Sequence, residues 1–236
     1  MNVAVRGGDD IETAIGVAGA TRVEEDGDRA VDAVVAIGDD AIRSAAANPP
    51  EAPLLPVTPD GGRHLVARES LDAALAALTA GEGRVESHPV LDVWRDGATV
   101  TRALRDVALV TTAPASISEY AVTAGESPMG SIRADGIVVA APLGSDGYAA
   151  AAGGAVLESG TGVSVVPISP FSTAPEVRVL DPGVGITLSV EREGDVALFA
   201  DGVRHGSVTV DADLRIDRAG TLDVLAPDGN GKLLMS

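Results

Sequence analysis

The 236-residue sequence has no cysteine and one lysine, Lys232. Without cysteine the chain cannot form disulfides, a thiolate nucleophile, an iron–sulfur cluster or a cysteine-ligated zinc site. The three histidines, His64, His88 and His205, are scattered and never four residues apart, so the sequence does not predict a histidine metal cage. We therefore expect any hydrolytic metal ion to bind oxygen ligands.

Basic residues are also few: 17 of them face 35 acidic residues, for a net charge of −18. This balance disfavours binding to nucleic acid or to an anionic membrane surface. The 45% hydrophobic content indicates a folded domain and not a disordered acidic tail. The acidic residues are spread along the whole chain, which predicts a halophilic, cytoplasmic protein. We expect neither a signal peptide nor a membrane span, because no apolar run reaches the required length.

Aromatic residues make up 2% of the chain, which argues against a platform for stacking bases. We expect Trp94, Phe171 and Phe199 to belong to the core. The glycine-lysine phosphate loop and the serine nucleophile elbow are both absent. These absences exclude Walker-type nucleotide binding and offer no serine hydrolase site.

The N-terminal third alternates strand-like and helix-like segments. Strands are predicted at residues 3–5, 33–37 and 53–57, and helices at residues 10–18, 41–47 and 69–78. The continuous apolar run at 33–37 is typical of a parallel strand buried on both faces. Residues 1–83 are therefore expected to form an α/β domain, to which the tail 221–236 is a candidate addition.

The pattern then changes to short β-branched runs between Gly, Asp and Pro turns. Strands are predicted at 90–94, 107–112, 116–123, 137–141, 163–168, 186–190, 196–199 and 207–210. Residues 84–220 are expected to form a β-rich domain. The predicted fold class is thus an α/β N-terminal half followed by a β-rich C-terminal half.

The most informative stretch is residues 135–154, DGIVVAAPLGSDGYAAAAGG. A strand that runs into a glycine turn and a helix of small residues would present backbone N–H groups to a phosphate or nucleotide. Ser145 could donate to a ligand oxygen, and Tyr148 offers a ring and a hydroxyl. The alternative is a helix whose small residues merely allow close packing on a sheet; the residues alone leave both open.

A second stretch, residues 37–41 with the letters IGDDA, follows a predicted parallel strand. Ligands of open α/β sheets gather at such strand ends, where a carboxylate can hold a divalent ion or accept a proton. An ordinary helix N-cap at Asp39 or Asp40 is the alternative, and the residues alone favour it.

Together these segments resemble the NAD kinase family of ATP- or polyphosphate-dependent NAD 2′-phosphotransferases. Residues 135–154 are similar to the family pattern D-G, hydrophobic run, P-T-G-S-T-A-Y, then S-A-G-G-P. Residues 165–172, VVPISPFS, resemble V-P-I-x-P-H-S, and Asp201-Gly202 resembles a late D-G turn. The resemblance covers roughly residues 30–210 in order and spacing.

The resemblance implies a two-domain NAD kinase architecture in which residues 1–83 are the nucleotide-binding domain and residues 84–220 bind NAD. Asp39 would be the catalytic residue that activates the ribose 2′-hydroxyl, with Mg²⁺ as the implied metal and Asp39 and Asp40 as its possible ligands. It also implies a homo-oligomer, a dimer or tetramer. Substrate contacts would come from Gly38, Asp40, His64, Arg105, Asp106, Gly144, Ser145, Tyr148 and Asp201.

The chain departs from the family pattern on the phosphate side. The family's G-G-D-G-T reads Ile37-Gly38-Asp39-Asp40-Ala41, and the asparagine of its N-E/D pair is replaced by Arg105. The G-V-N-x-G-x-L-G-F loop reads PVTPDGGRH at 56–64. Three hypotheses follow: an NAD kinase, a catalytically impaired NAD-binding or regulatory protein, and a kinase acting on a different hydroxyl.

Overall fold

The computed structural model describes residues 1–8, 11–113, 116–192, 194–210 and 212–226. The start of the helix predicted from residue 10, the end of the tail 221–236 and Lys232 lie outside these ranges. The chain divides into two compact units. The first comprises Met1–His88 and Leu222–Ser236, and the second comprises Pro89–Thr221.

The first unit contains a parallel sheet in which the strand order is β2-β1-β3-β4. Strand β5 pairs with β4, and the end of the last strand pairs with β4 through Val224 and Leu54. The apolar run of β3 is almost wholly buried, which explains why it could be predicted. The bounds are β1 Asn2–Arg6, β2 Thr21–Arg22, β3 Ala33–Ile37, β4 Leu54–Thr58 and β5 Val66–Ala67.

Three α-helices accompany this sheet. They are α1 Glu12–Val17, α2 Asp39–Ala47 and α3 Leu71–Thr79, the last preceded by a 3₁₀ turn at Arg68–Ser70. Helices α1 and α3 place Ile15 and Leu75 in one core cluster with Val35 and Leu55 of the sheet. The α/β character predicted for this part of the chain is confirmed.

The second unit contains a six-stranded antiparallel sheet in the order β13-β12-β11-β8-β15-β16. Its strands are β8 Asp106–Thr111, β11 Gly136–Ala140, β12 Val163–Ile168, β13 Arg178–Leu180, β15 Val196–Ala200 and β16 Val203–Val208. Strand β11 is buried along its whole length between β8 and β12.

Further strands of this unit pair in the antiparallel order β10-β9-β14-β17, and β6 and β7 form a hairpin. The bounds are β6 Arg84–Arg95, β7 Ala98–Ala103, β9 Ser118–Ala124, β10 Ser127–Ala134, β14 Ile186–Val190 and β17 Asp213–Ala226. Leu109 and Leu198 of the six-stranded sheet share one core with Tyr120, Leu188 and Leu214 of these strands. The predicted β-rich half is confirmed.

The core position predicted for Phe171 is wrong, and the helix of small residues predicted after the glycine turn forms only in part. The chain has a 3₁₀ turn at Pro142–Gly144 and a π-helical turn at Ser145–Ala149, kinked at Gly147. Glycine has a low helix propensity and a wide range of accessible backbone angles, so it can occupy this kinked position. Phe171 is 76% exposed and not part of the core, and its ring lies 6.0 Å from the Arg133 guanidinium. Trp94 and Phe199 are half-buried.

Among the described residues, no helix is both long and apolar enough to cross a membrane.

Candidate functional site

The loop after β3 turns at Gly38, whose φ of 82° is one that glycine adopts without strain. The Gly38 N–H donates to the Val57 carbonyl at 2.8 Å, which ties the loop to β4. The Gly38 carbonyl accepts from the Ile42 N–H at 3.2 Å. Gly38 is therefore the N-cap of α2, so the interpretation of Asp39 or Asp40 as the N-cap is wrong.

Asp39 and Asp40 occupy the first turn of α2 instead. Both are exposed, and the Asp40 side chain is 98% exposed while pairing with Arg43 one turn further on. Carboxylates at this end of a helix interact favourably with its dipole. The predicted catalytic residue Asp39 thus lies in the first turn of a helix that begins at the carboxyl end of a parallel strand.

A pocket of about 500 Å³ opens beside Gly38 within the first unit. It is lined by Ile37, Gly38, Val57, Thr58, Pro59, Arg68 and Glu69. Its volume is in the range of small-molecule sites. Arg68 brings a cation to this pocket, and sequence reasoning missed it because no phosphate-binding motif surrounds it.

In the second unit, one end of the six-stranded sheet gathers most of the other predicted residues. Asp106 begins β8 and lies opposite Ala140 at the end of β11, and Val107 lies opposite Ala200 at the end of β15. The segments that follow or precede these strand ends therefore meet at one edge. They carry Arg105, Asp106, Gly144, Ser145, Tyr148 and Asp201.

Asp201 organises this edge. Its side chain accepts hydrogen bonds from the backbone N–H groups of Leu104 at 3.0 Å, Arg105 at 2.8 Å and Asp106 at 3.1 Å. The residue is 2% exposed and adopts a φ of 47° in its turn with Gly202. Charge-assisted bonds to three successive amides fix the segment before β8. A direct contact of Asp201 with substrate stays a prediction.

Burial and the nearby charge of Asp201 raise the pKa of Asp106 to about 6, against the opposing effect of Arg105. Desolvation disfavours the charged carboxylate, and a second carboxylate disfavours it further. Asp106 is therefore mostly ionised at neutral pH and half protonated near pH 6. Shifted carboxyl groups of this kind are common at functional sites.

Gly144 packs so closely against the backbone of Arg105 that a Cβ added at Gly144 would lie 2.6 Å from Arg105 backbone atoms. The Ala141 N–H also donates to the Arg105 carbonyl at 2.8 Å. Only glycine fits such a close approach. The glycine in this motif therefore locks the turn after β11 onto the segment that Asp201 holds.

Ser145 is fully buried. Its hydroxyl donates to the Pro142 carbonyl at 2.9 Å and accepts from the Leu157 N–H at 2.8 Å. These bonds connect the turn to the chain that follows it. The predicted donation of this hydroxyl to a ligand is not tested by these contacts.

Tyr148 is exposed at the same edge. Burial, and then the charges of Asp106 and Asp135, raise the pKa of its hydroxyl. A neutral phenol offers a flat ring and one hydrogen-bond donor to a ligand.

His64 belongs to a different contact set, in the first unit. It is buried and contacts Glu86 and His88, which with it form what we call the histidine cluster. No sequence pattern indicated this contact, since His64 and His88 are far apart along the chain. The predicted contact of His64 with substrate stays a prediction.

Comparison with known proteins places the chain in a family. Residues 104–222 match the model of the ATP-NAD kinase C-terminal domain. The chain is 28% identical to the NAD kinase of Methanosarcina acetivorans over 206 residues, 84% of this chain and 74% of that protein. It is 30% identical to that of Methanosarcina barkeri over 132 residues, 55% of this chain and 48% of that protein.

Solved structures show the same fold. An NAD kinase from Archaeoglobus fulgidus in complex with ATP has a TM-score of 0.70 and 23% identity, over 98% of this chain and 95% of that chain. Yeast NADH kinase complexed with NADH has a TM-score of 0.74 and 15% identity, over 96% and 83%. The chain adopts the NAD kinase fold and belongs to the NAD kinase family, which confirms the resemblance drawn from the sequence.

Proposed function

We propose that this chain is an NAD kinase that transfers a phosphoryl group from ATP or polyphosphate to the 2′-hydroxyl of NAD, giving NADP. The observation that carries the proposal is the Asp201-anchored edge of the six-stranded sheet, built from the family's D-G and glycine-serine motifs. The NAD kinase relatives and the ATP and NADH complexes of similar structures support both substrates.

NAD binding is assigned to the anchored edge of the second unit. Tyr148 supplies an exposed ring, and Asp106 supplies a carboxylate that is mostly ionised at neutral pH. An ionised carboxylate accepts hydrogen bonds from ribose hydroxyls or from the adenine amine. Arg105 adds a cation that balances the pyrophosphate charge of NAD.

Phosphoryl transfer is assigned to Asp39. Its carboxylate accepts the proton of the ribose 2′-hydroxyl as the 2′-oxygen bonds to the terminal phosphorus of the donor. The bond from that phosphorus to the bridging oxygen breaks, and the leaving phosphate carries away the electron pair. This role requires an ionised carboxylate within hydrogen-bond reach of the hydroxyl in the bound complex.

The donor phosphates are assigned to the pocket beside Gly38, where Arg68 lines the wall and Arg43 follows on α2. Asp39 and Asp40 offer carboxylate oxygens, the donor type that Mg²⁺ prefers, so these residues fit the metal. Bound there, Mg²⁺ would neutralise charge on the donor phosphates. The aspartates would hold it, and Asp39 would also orient the acceptor hydroxyl.

Three wider properties complete the proposal: a halophilic protein, a cytoplasmic location and a homo-oligomer, either a dimer or a tetramer. The net charge of −18 supports the first, since an acidic surface remains solvated in concentrated salt. The molar mass measured by light scattering during gel filtration in molar KCl gives the number of subunits. A monomer under assay conditions would contradict the oligomer.

A nucleotide panel tests the function. Purified chain in molar KCl with Mg²⁺ is incubated with NAD or NADH and with ATP or polyphosphate, and the products are separated by chromatography. We expect NADP or its reduced form with at least one donor. A rise in melting temperature with NAD but no product would indicate a binding protein, and neither effect would point to a different acceptor.

A further inference from the structure

The histidine cluster is a compact group of metal-ligand side chains in the first unit. His64 Nδ1 lies 2.9 Å from Glu86 Oε2, and His88 Nε2 lies 3.5 Å from the same oxygen. The two imidazole rings meet edge to face, with centroids 4.7 Å apart. The side chains of His64, Glu86 and His88 are 2%, 9% and 0% exposed.

The local structure explains how the three residues meet. Glu86 and His88 are two residues apart on β6, so their side chains leave the same face of the strand. His64 comes from the loop between β4 and β5. The cluster therefore joins a strand to a loop that has little regular structure of its own.

His88 is the unexplained member of the cluster. Among the residues that the structure describes, neither of its ring nitrogens has a hydrogen-bond partner, although the side chain is fully buried. The 3.5 Å contact with Glu86 does not have the geometry of a hydrogen bond. A buried polar group without a partner is costly in a folded protein and calls for a ligand.

Glu86 is oriented as a ligand would be. Arg84 holds its Oε1 at 2.5 Å, which leaves Oε2 facing both histidines. Metal-binding carboxylates are typically fixed by such an outer partner on their other oxygen. The arrangement thus supplies a positioned oxygen between two imidazole nitrogens.

We propose that His64, Glu86 and His88 bind one divalent transition-metal ion of the zinc type. One ligand atom from each residue lies within 4.8 Å of the others. Tetrahedral ligands about 2.0–2.2 Å from a zinc ion lie about 3.3–3.6 Å apart, so small side-chain movements close the site. Two imidazoles and one carboxylate favour zinc, cobalt or nickel over Mg²⁺.

The site is separate from the proposed kinase chemistry. It involves neither Asp39 nor the anchored edge of the second unit, so it survives if the kinase proposal fails. Three protein ligands leave one tetrahedral position for water. The bound ion would fasten the loop before β5 to β6 and so stabilise the first unit.

The test uses the full chain after EDTA treatment and dialysis, titrated with Co²⁺ and then with Zn²⁺. We expect one equivalent of Co²⁺ to give the visible absorption of a tetrahedral site, and Zn²⁺ to displace it and raise the melting temperature. Failure of the wild-type chain to give this absorption overturns the proposal without any variant.

Variants identify the ligands. We expect Glu86→Gln, His64→Asn and His88→Ala each to weaken Co²⁺ binding at least about tenfold. His205→Ala, which removes the histidine outside the cluster, should bind as wild type does. Circular dichroism checks that each variant is folded. If His88→Ala is unfolded, the result for Glu86→Gln, which keeps the side-chain shape, decides the test. Unchanged binding in the folded cluster variants, or loss in His205→Ala, overturns the assignment.

Discussion

The side chain of Asp201 accepts a hydrogen bond from the backbone N–H of Asp106 at 3.1 Å. The two residues are therefore directly hydrogen-bonded, and the charge of Asp201 contributes to raising the pKa of Asp106. Asp201 is buried, whereas the edge that it organises carries the exposed Tyr148. In the proposed enzyme, Asp201 acts as a positioning residue for the segment that binds NAD.

Asp201→Asn tests this positioning role. Asparagine tolerates the left-handed backbone of the turn but offers one acceptor oxygen to three amides. We expect a loss of about 3 kcal/mol in the free energy of unfolding, measured by urea denaturation in molar KCl. The NAD concentration that gives half-maximal thermal stabilisation should rise as well.

Asp96→Asn is the matched control. Asp96 also precedes a glycine and has a φ of 52°, but its side chain is exposed in the hairpin turn between β6 and β7. We expect a change within about 0.5 kcal/mol. Equal effects of the two substitutions would show that the three amide bonds do not hold the edge.

Gly144→Ala tests the close approach of two segments. The new Cβ would lie 2.6 Å from the Arg105 backbone, so one segment must move. We expect a loss of about 1–3 kcal/mol in unfolding free energy and weaker NAD binding. Gly220→Ala in β17 is the control, because in the described part of the chain no atom beyond its two chain neighbours lies within 4 Å of the added Cβ. A Gly144→Ala variant that matches Gly220→Ala would contradict the packing.

The raised pKa of Asp106 predicts a pH dependence of stability. The folded chain binds this proton more tightly than the unfolded chain, whose pKa is near the ordinary 3.8. The penalty for burying the charge is therefore complete above about pH 6 and disappears as the pH falls toward 3.8. Asp106→Asn, which mimics the protonated form, should be more stable than wild type at about pH 8, by a margin that shrinks toward about pH 5.

Urea denaturation of both proteins at several pH values measures this margin. Asp96→Asn removes the same charge from an exposed turn and so reports the general effect of net charge. A margin for Asp106→Asn that stays constant across the range would show that the buried carboxyl does not titrate as described.

Asp40→Gly tests the departure from the family's phosphate loop. The substitution removes an exposed carboxylate that pairs with Arg43 and that the proposal assigns to Mg²⁺. We expect a higher KM for the phosphate donor, because the metal ion loses a ligand, at a cost of up to about 1 kcal/mol in helix stability. Asp40→Ala removes the charge but keeps a Cβ, so it separates electrostatic from backbone effects. A lower KM in both variants would show instead that Asp40 repels the donor phosphates and does not hold the metal ion.

The fold class could be predicted because its strands have simple patterns. Strands β12 and β14 have the predicted bounds, since each is a short apolar or β-branched run between turn residues. Strand β17 was missed because charged residues alternate along it, and β10 because it contains Pro128 and Gly130. Neither pattern has the continuous hydrophobicity that marked the other strands.

The site was predicted in part. The glycine-serine segment carried the family resemblance, but its kinked π-helical turn depends on contacts with Arg105 and Leu157 that a sequence does not display. The role of Asp201 depends on amides nearly a hundred residues away. The histidine cluster likewise forms by long-range packing, so the spacing of His64 and His88 gave no indication of it.

NADP formation by wild type and Asp39→Asn tests the central claim most directly. Asp39 lies in the exposed first turn of α2, so the asparagine variant should fold, and its melting temperature serves as the control. With Mg²⁺, NAD and either ATP or polyphosphate in molar KCl, we expect NADP from wild type and at least about a hundredfold less from Asp39→Asn. Wild-type chain that makes no NADP with either donor, or a variant that makes it at the wild-type rate, would contradict the account.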